Sequence, residues 1–213
     1  MEPPAASRRW HPRDEEDYQA ASADLKERFA SWVKVEGVEV DPESADPILH
    51  YKWNYLDGHL TRWTWDDLSE LYLEVYPARV MVDDGDLARP LEEGTEFLLF
   101  LAAVGLLDDE SAPIVALTDH LERIEPELRR VMADPSRYSM GKRLWTQARA
   151  EGVQPDDREA VEAFIKRFNA RPFAERDAVL GPPLSSARPS SGRTTPLGTR
   201  PRPVSSSRRK RRR

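Results

Sequence analysis

Few residues in this chain could do chemistry, and their spacing decides most of them. Ser139-Met140-Gly141-Lys142 has the Ser-x-x-Lys spacing in which a lysine can activate a serine nucleophile. The Ser-Asp-Asn and Lys-Thr-Gly elements that accompany it in penicillin-recognising enzymes are missing, and Ser139 suits the N-cap of a helix. His50, Asp57 and His59 are close enough in sequence to share a metal, but no third histidine or cysteine follows at ligand spacing, and His120 stands alone. Asp83-Asp84-Gly85-Asp86 offers carboxylates without the alternating ligands and terminal Glu of a calcium loop, so it reads as a solvated turn. No Gly-x-Ser-x-Gly, phosphate-cradling glycine loop or His-Glu-x-x-His occurs. The expectation is no catalytic, cofactor or metal residue, with the balance leaning away from an enzyme.

Two features could bind rather than react. Residues 182–213 carry ten positive charges and no Asp or Glu, ending in Arg208, Arg209, Lys210, Arg211, Arg212 and Arg213. The chain's net −6 includes that +10, which leaves −16 on residues 1–181. A run of this kind neutralises phosphates without reading sequence, so RNA or DNA is one candidate partner and an acidic protein surface another. Residues 64–110 hold thirteen acids against two arginines, which makes the chain's own 64–110 region a third, intramolecular target. The same excess would repel DNA from any helix–turn–helix placed there. The second feature is the aromatic cluster Tyr51, Trp53, Trp63 and Trp65, which suits either a partner-binding platform or a core.

These residues need elements to hold them, and the pattern is mainly helical. Tyr18, Ala21, Leu25, Phe29, Trp32 and Val33 recur at three and four residues from Asp14, with Gly37 as the stop. Tyr51, Trp53 and Tyr55 alternate with polar residues, and Asp57-Gly58 suits a tight turn, so a small β-hairpin is expected near 50–63. Thr64 caps a helix that should stop before Pro77. Further helices are expected over 91–104, 114–131, 140–151, 157–169 and 172–180, with Pro126 kinking or dividing the second. The expected architecture is a compact bundle of six to seven short helices. A flexible arm (1–13) precedes the acidic helical domain (14–181), and a disordered basic tail (182–213) follows it.

Composition sets the surroundings. The chain lacks cysteine, which removes disulfides and thiol chemistry. Met1-Glu2-Pro3-Pro4 lacks a signal-peptide pattern and the apolar run Phe97–Leu107 is too short for a bilayer, so a cytoplasmic protein without membrane attachment is the default expectation.

Three stretches carry a resemblance. They are Tyr51-Lys52-Trp53-Asn54-Tyr55 leading to Leu60-Thr61-Arg62-Trp63-Thr64, then Ala133-Asp134-Pro135-Ser136-Arg137, and Phe168-Asn169-Ala170-Arg171-Pro172-Phe173. Over about residues 48–181 the chain resembles an uncharacterised actinobacterial helical protein family with no assigned function. The resemblance implies an actinobacterial origin and no mechanism. The functional expectation is a non-catalytic interaction or adaptor protein, its body binding a protein partner and its tail adding electrostatic attachment. The alternative is an accessory protein that binds RNA or DNA non-specifically through the tail, with an enzyme of unrecognised type as the third choice.

Overall fold

The computed structural model describes residues 9–82 and 86–182. The segments 1–8, 83–85 and 183–213 lie outside it, and with them the expected basic end Arg208–Arg213 and most of the Asp83–Asp86 turn. The described residues are mainly helical, as expected, and contain no strand.

Helix α1 runs Glu15–Glu36 and buries Tyr18, Ala21, Leu25, Phe29 and Val33, the stripe read from its periodicity. Asp14 caps its start, and Gly37 ends it at φ 68°, where a Cβ would be strained. A 3₁₀ turn at Pro42–Ser44 leads into α2, Ala45–Tyr55.

Helix α2 replaces the expected hairpin. Its buried residues Ala45, Ile48, Leu49 and Lys52 follow helical spacing and start before the aromatic alternation. Pro47 sits in the first turn, where a missing N–H leaves no bond unmade. Tyr51, Trp53 and Tyr55 are therefore half-buried flanks of one helix. Trp53 stacks on Tyr18 at 5.1 Å, and Tyr51 meets Tyr76 edge-on at 5.6 Å. Asp57-Gly58 forms the exit from α2, where Gly58 N donates to Lys52 O at 3.1 Å.

Thr64 opens α3, Trp65–Glu70, through a complete capping box with Asp67. The rod then loosens into a π turn, Leu71–Val75, and continues as α4, Tyr76–Arg79, so Pro77 lies inside it and does not follow its end. The reason lies in the backbone bonds. Proline supplies no N–H to the carbonyl four residues back, that of Leu73. Arg137 Nη1 donates to Leu73 O instead, at 3.1 Å.

Helix α5, Arg89–Ala103, packs along α6, Ile114–Met132. Pro126 does not divide α6. It is exposed, as is Glu122 one turn earlier, so the carbonyl deprived of its donor is on the solvent side. After a 3₁₀ turn at Pro135–Arg137 come α7, Met140–Ala150, α8, Arg158–Ala170, and α9, Phe173–Leu180. With α3, the π turn and α4 counted as one rod, the described residues hold eight helices, one above the expected range.

Two hydrophobic clusters result. The larger joins α1 to α6 around Phe29, Trp63, Tyr72, Phe97 and Phe100; the smaller joins α7, α8 and α9 around Ala148, Val153, Phe164 and Phe168. The expected loose arm is corrected at residues 9–13. Trp10 belongs to the larger cluster, and its carbonyl accepts from Leu60 N at 2.8 Å.

Candidate functional site

The densest group of charges lies where α2 ends and α3 begins. Lys52 has no exposed surface. Its Nζ lies 2.9 Å from Asp57 Oδ1, 2.9 Å from Asp67 Oδ1 and 4.7 Å above the Trp63 ring. Asp67 Oδ2 accepts from Thr64 N at 2.9 Å and Thr64 Oγ1 at 2.8 Å, so one carboxylate both caps α3 and holds the ammonium. Asp57 Oδ2 accepts from Arg62 Nη2 at 2.7 Å, and Arg62 Nη1 donates to Glu110 Oε2 at 2.9 Å.

Two backbone bonds position this chain of charges. Asp108 N donates to Thr61 O and Ala112 N to Trp63 O, each at 3.0 Å, so residues 61–63 and 108–112 run side by side. Burial by itself would raise the Asp57 carboxyl, but Lys52 and Arg62 override it and hold the group below its ordinary value. With its cations matched by carboxylates, the group can fasten α2, α3 and the loop before α6.

His59 lies beside this network, and its ring stacks on His11 at 3.7 Å with the Nδ1 buried and unpartnered. Burial, His11 and Arg62 push its pKa down. His50, by contrast, is on the exposed side of α2 against Asn54. Among the described residues no three His, Cys, Asp or Glu side chains group in a way that could hold a metal.

Ser139 caps α7, its Oγ accepting from Lys142 N at 3.2 Å, as the sequence suggested. The Lys142 side chain turns away from it. Nζ donates to Pro77 O at 2.8 Å and lies 4.0 Å over the Tyr138 ring. Burial lowers Lys142 to about 8. This contact ties α7 to α4, which Ser139 N, donating to Ala78 O at 3.0 Å, supports. A lysine lowered on folding binds fewer protons in the folded than in the unfolded chain between about 8 and the ordinary 10.5. Stability should therefore rise with pH across that interval. Lys142→Met should flatten the rise, as read from urea midpoints at successive pH values.

A second pair escaped sequence reading. Ser69 Oγ, on α3, and His120 Nε2, on α6, are 2.8 Å apart. Burial and Arg123 lower the histidine while Asp66 opposes them. The partners are 51 residues apart, and only the packing of α3 on α6 brings them together.

The aromatic candidates separate. Trp63 is core, 1% exposed with its indole N–H donating to Leu60 O, which removes it from any partner-binding surface. Tyr51 and Trp53 are half-buried, and Trp65 is 51% exposed. The acids of 64–110 are also dispersed. Asp67 faces Lys52, Glu74 pairs with Arg137, Glu93 with Arg89 and Glu110 with Arg62.

An open groove of about 520 Å³ lies elsewhere, along α1 from Asp24 to Val35 and against Val104, the residue that ends α5. Trp32, Val35 and Val104 form its apolar part, and Asp24, Glu27, Arg28 and Ser31 its polar edge. Val35 is 80% exposed and Val104 43%. Trp32 packs on Phe29 and Phe100 with ring centroids 6.1 and 6.0 Å away, so the helical stripe that fills the core also supplies the groove wall.

No protein-family model, curated protein or solved structure matches this chain. No helix among the described residues is long and apolar enough to cross a membrane.

Proposed function

We propose that the protein is a non-catalytic interaction protein, an adaptor whose helical body receives a protein partner and whose basic run Arg208–Arg213 adds electrostatic attachment. The supporting observation is the groove on α1 and α5. An aromatic ring, two exposed valines and a charged edge together have the composition of a protein-contact surface. Trp65 and Val115, 51% and 67% exposed, are separate apolar side chains on the surface. A cytoplasmic setting belongs to the same proposal.

A photo-reactive amino acid at Val35 of the full chain should cross-link one discrete protein. The same group at Arg158, whose side chain is 91% exposed on α8, should not. Equal labelling from both positions would overturn the reading.

The tail composition favours a second reading, non-specific attachment to RNA or DNA. Ten positive charges without an acid would give affinity that falls steeply with salt. If about half of them met phosphates, log affinity would fall with log salt at a slope of roughly −3 to −5.

A further inference from the structure

The groove has a chemistry more specific than exposed apolar surface. The Trp32 indole N–H donates to nothing among the described residues, and the Glu27 carboxylate has no ion-pair partner there. Asp24, beside them, already holds an arginine delivered from a distant part of the chain, since Arg9 Nη2 lies 2.9 Å from its Oδ2. Arg28, one turn along α1, reaches the same oxygen at 3.0 Å. The site thus combines an aromatic wall with a spare donor, two valines and a carboxylate edge with one acid unmatched.

That set of groups suits one kind of ligand. A proline-rich strand fits against an aromatic wall and keeps its carbonyls free to accept from an indole N–H. Proline has already fixed φ, so little entropy is lost on docking. An arginine between the prolines then reaches the unmatched carboxylate of Glu27 at the edge.

The sequence contains such a segment at Arg200-Pro201-Arg202-Pro203, followed by Val204. We propose that the groove on α1 and α5 is a docking site for a proline-rich, arginine-bearing strand, and that the chain's own Arg200–Pro203 segment is its first occupant. The inference rests on the reading of the groove as an interaction surface and adds its ligand class. It also supplies a regulation, because a protein partner must displace the chain's own segment to enter.

Two further considerations support the self-contact. The 18 residues from Pro182 to Arg200 can span at most about 60 Å, and a body of this size is about 40 Å across. A path over the surface to the opposite pole is about 60 Å, so the segment reaches every face short of that pole. Charge is compatible as well. Glu27 joins no ion pair among the described residues, and Glu92 and Glu96 of α5, which likewise join none, are the competing acids that the test below separates.

The test uses the full chain and the Trp32 indole resonance in ¹H–¹⁵N spectra, assigned by its loss in Trp32→Phe. The double variant R200E/R202E, which keeps Arg208–Arg213 intact, should shift the Trp32 indole and Val35 amide and leave the buried Trp63 indole unchanged. Adding a synthetic peptide of residues 194–204 to that variant should return both signals toward wild type. Glu27→Lys, introduced alongside the tail changes, should weaken the peptide response about tenfold, the loss expected of one charge-assisted contact.

Identical Trp32 and Val35 signals in wild type and R200E/R202E would overturn the proposal. So would a peptide response centred on Glu92 and Glu96 of α5, or one indifferent to Glu27→Lys. If the Val35 cross-link to a partner persists while these signals stay still, the self-contact fails and the interaction reading stands. If the peptide binds and no cross-link forms, the reverse holds.

Discussion

Replacing Lys52 with methionine should destabilise the protein by about 3–5 kcal/mol at pH 7, the range for removing one member of a buried ion pair. The side chain is fully enclosed, and its ammonium is the shared counter-charge of Asp57 and Asp67. Methionine fills a similar volume but leaves two carboxylates facing each other with Arg62 as the nearest remaining cation. Against a total stability of about 5–15 kcal/mol for a domain, such a loss should lower Tm by about 10 °C or more.

The pH dependence separates lost charge from lost packing. In the wild type Asp57 is held below its ordinary 3.8. Its contribution is therefore fully present above the unfolded value and is lost as pH falls through the lower, folded one. Without Lys52, burial, the largest influence on Asp57, acts with less opposition and lifts the carboxyl above its ordinary value. The penalty then exists only where Asp57 is charged and is relieved on acidification. Urea curves should show the gap between wild type and K52M narrowing from pH 7 to about pH 4.5. A gap that is constant across this range, or below about 1 kcal/mol at pH 7, would mean that the ammonium is not the counter-charge its geometry suggests.

The same cluster shows what the sequence could and could not disclose. Thr64 with Asp67 three residues later is a local signal, and the cap formed as read. The stripe of α1 was legible because each residue repeats its neighbour's environment at a fixed spacing, and α6, expected over 114–131, buries Leu117, Leu121, Ile124, Leu128 and Val131 on the same principle. Lys52 gave no such signal. In Tyr51-Lys52-Trp53 it occupies the polar position of an apparent strand, and only the helical stripe beginning at Ala45 turns it inward.

What stayed hidden depends on packing between distant segments. Ser69 meets His120 only once α3 lies on α6, and the groove exists only once the end of α1 lies beside Val104. Trp32 was read correctly as part of the helical stripe. No pattern along the chain could have shown that the same ring also lines the groove.

Gly94 tests how tightly α5 fits the π turn. It lies inside α5, where alanine should favour the helix by about 1 kcal/mol. The added methyl would instead fall on Tyr72 Oη, and the tyrosine has no exposed surface through which to escape. Gly94→Ala should therefore cost about 2 kcal/mol net, within the range for forcing volume into a packed core. Tyr72→Phe should behave in the opposite way. Its hydroxyl is buried without a partner, so removing it relieves an unmet hydrogen-bonding group and should leave stability equal or higher. The phenyl ring left behind would sit 3.0 Å from the new methyl at Cζ, a gap that a shift of a few tenths of an ångström opens. G94A in the Y72F background should then cost about 1 kcal/mol or less, a coupling well beyond the ~0.5 kcal/mol scatter of independent sites. Additive costs in chemical denaturation would instead place the strain of Gly94→Ala somewhere other than the tyrosine hydroxyl.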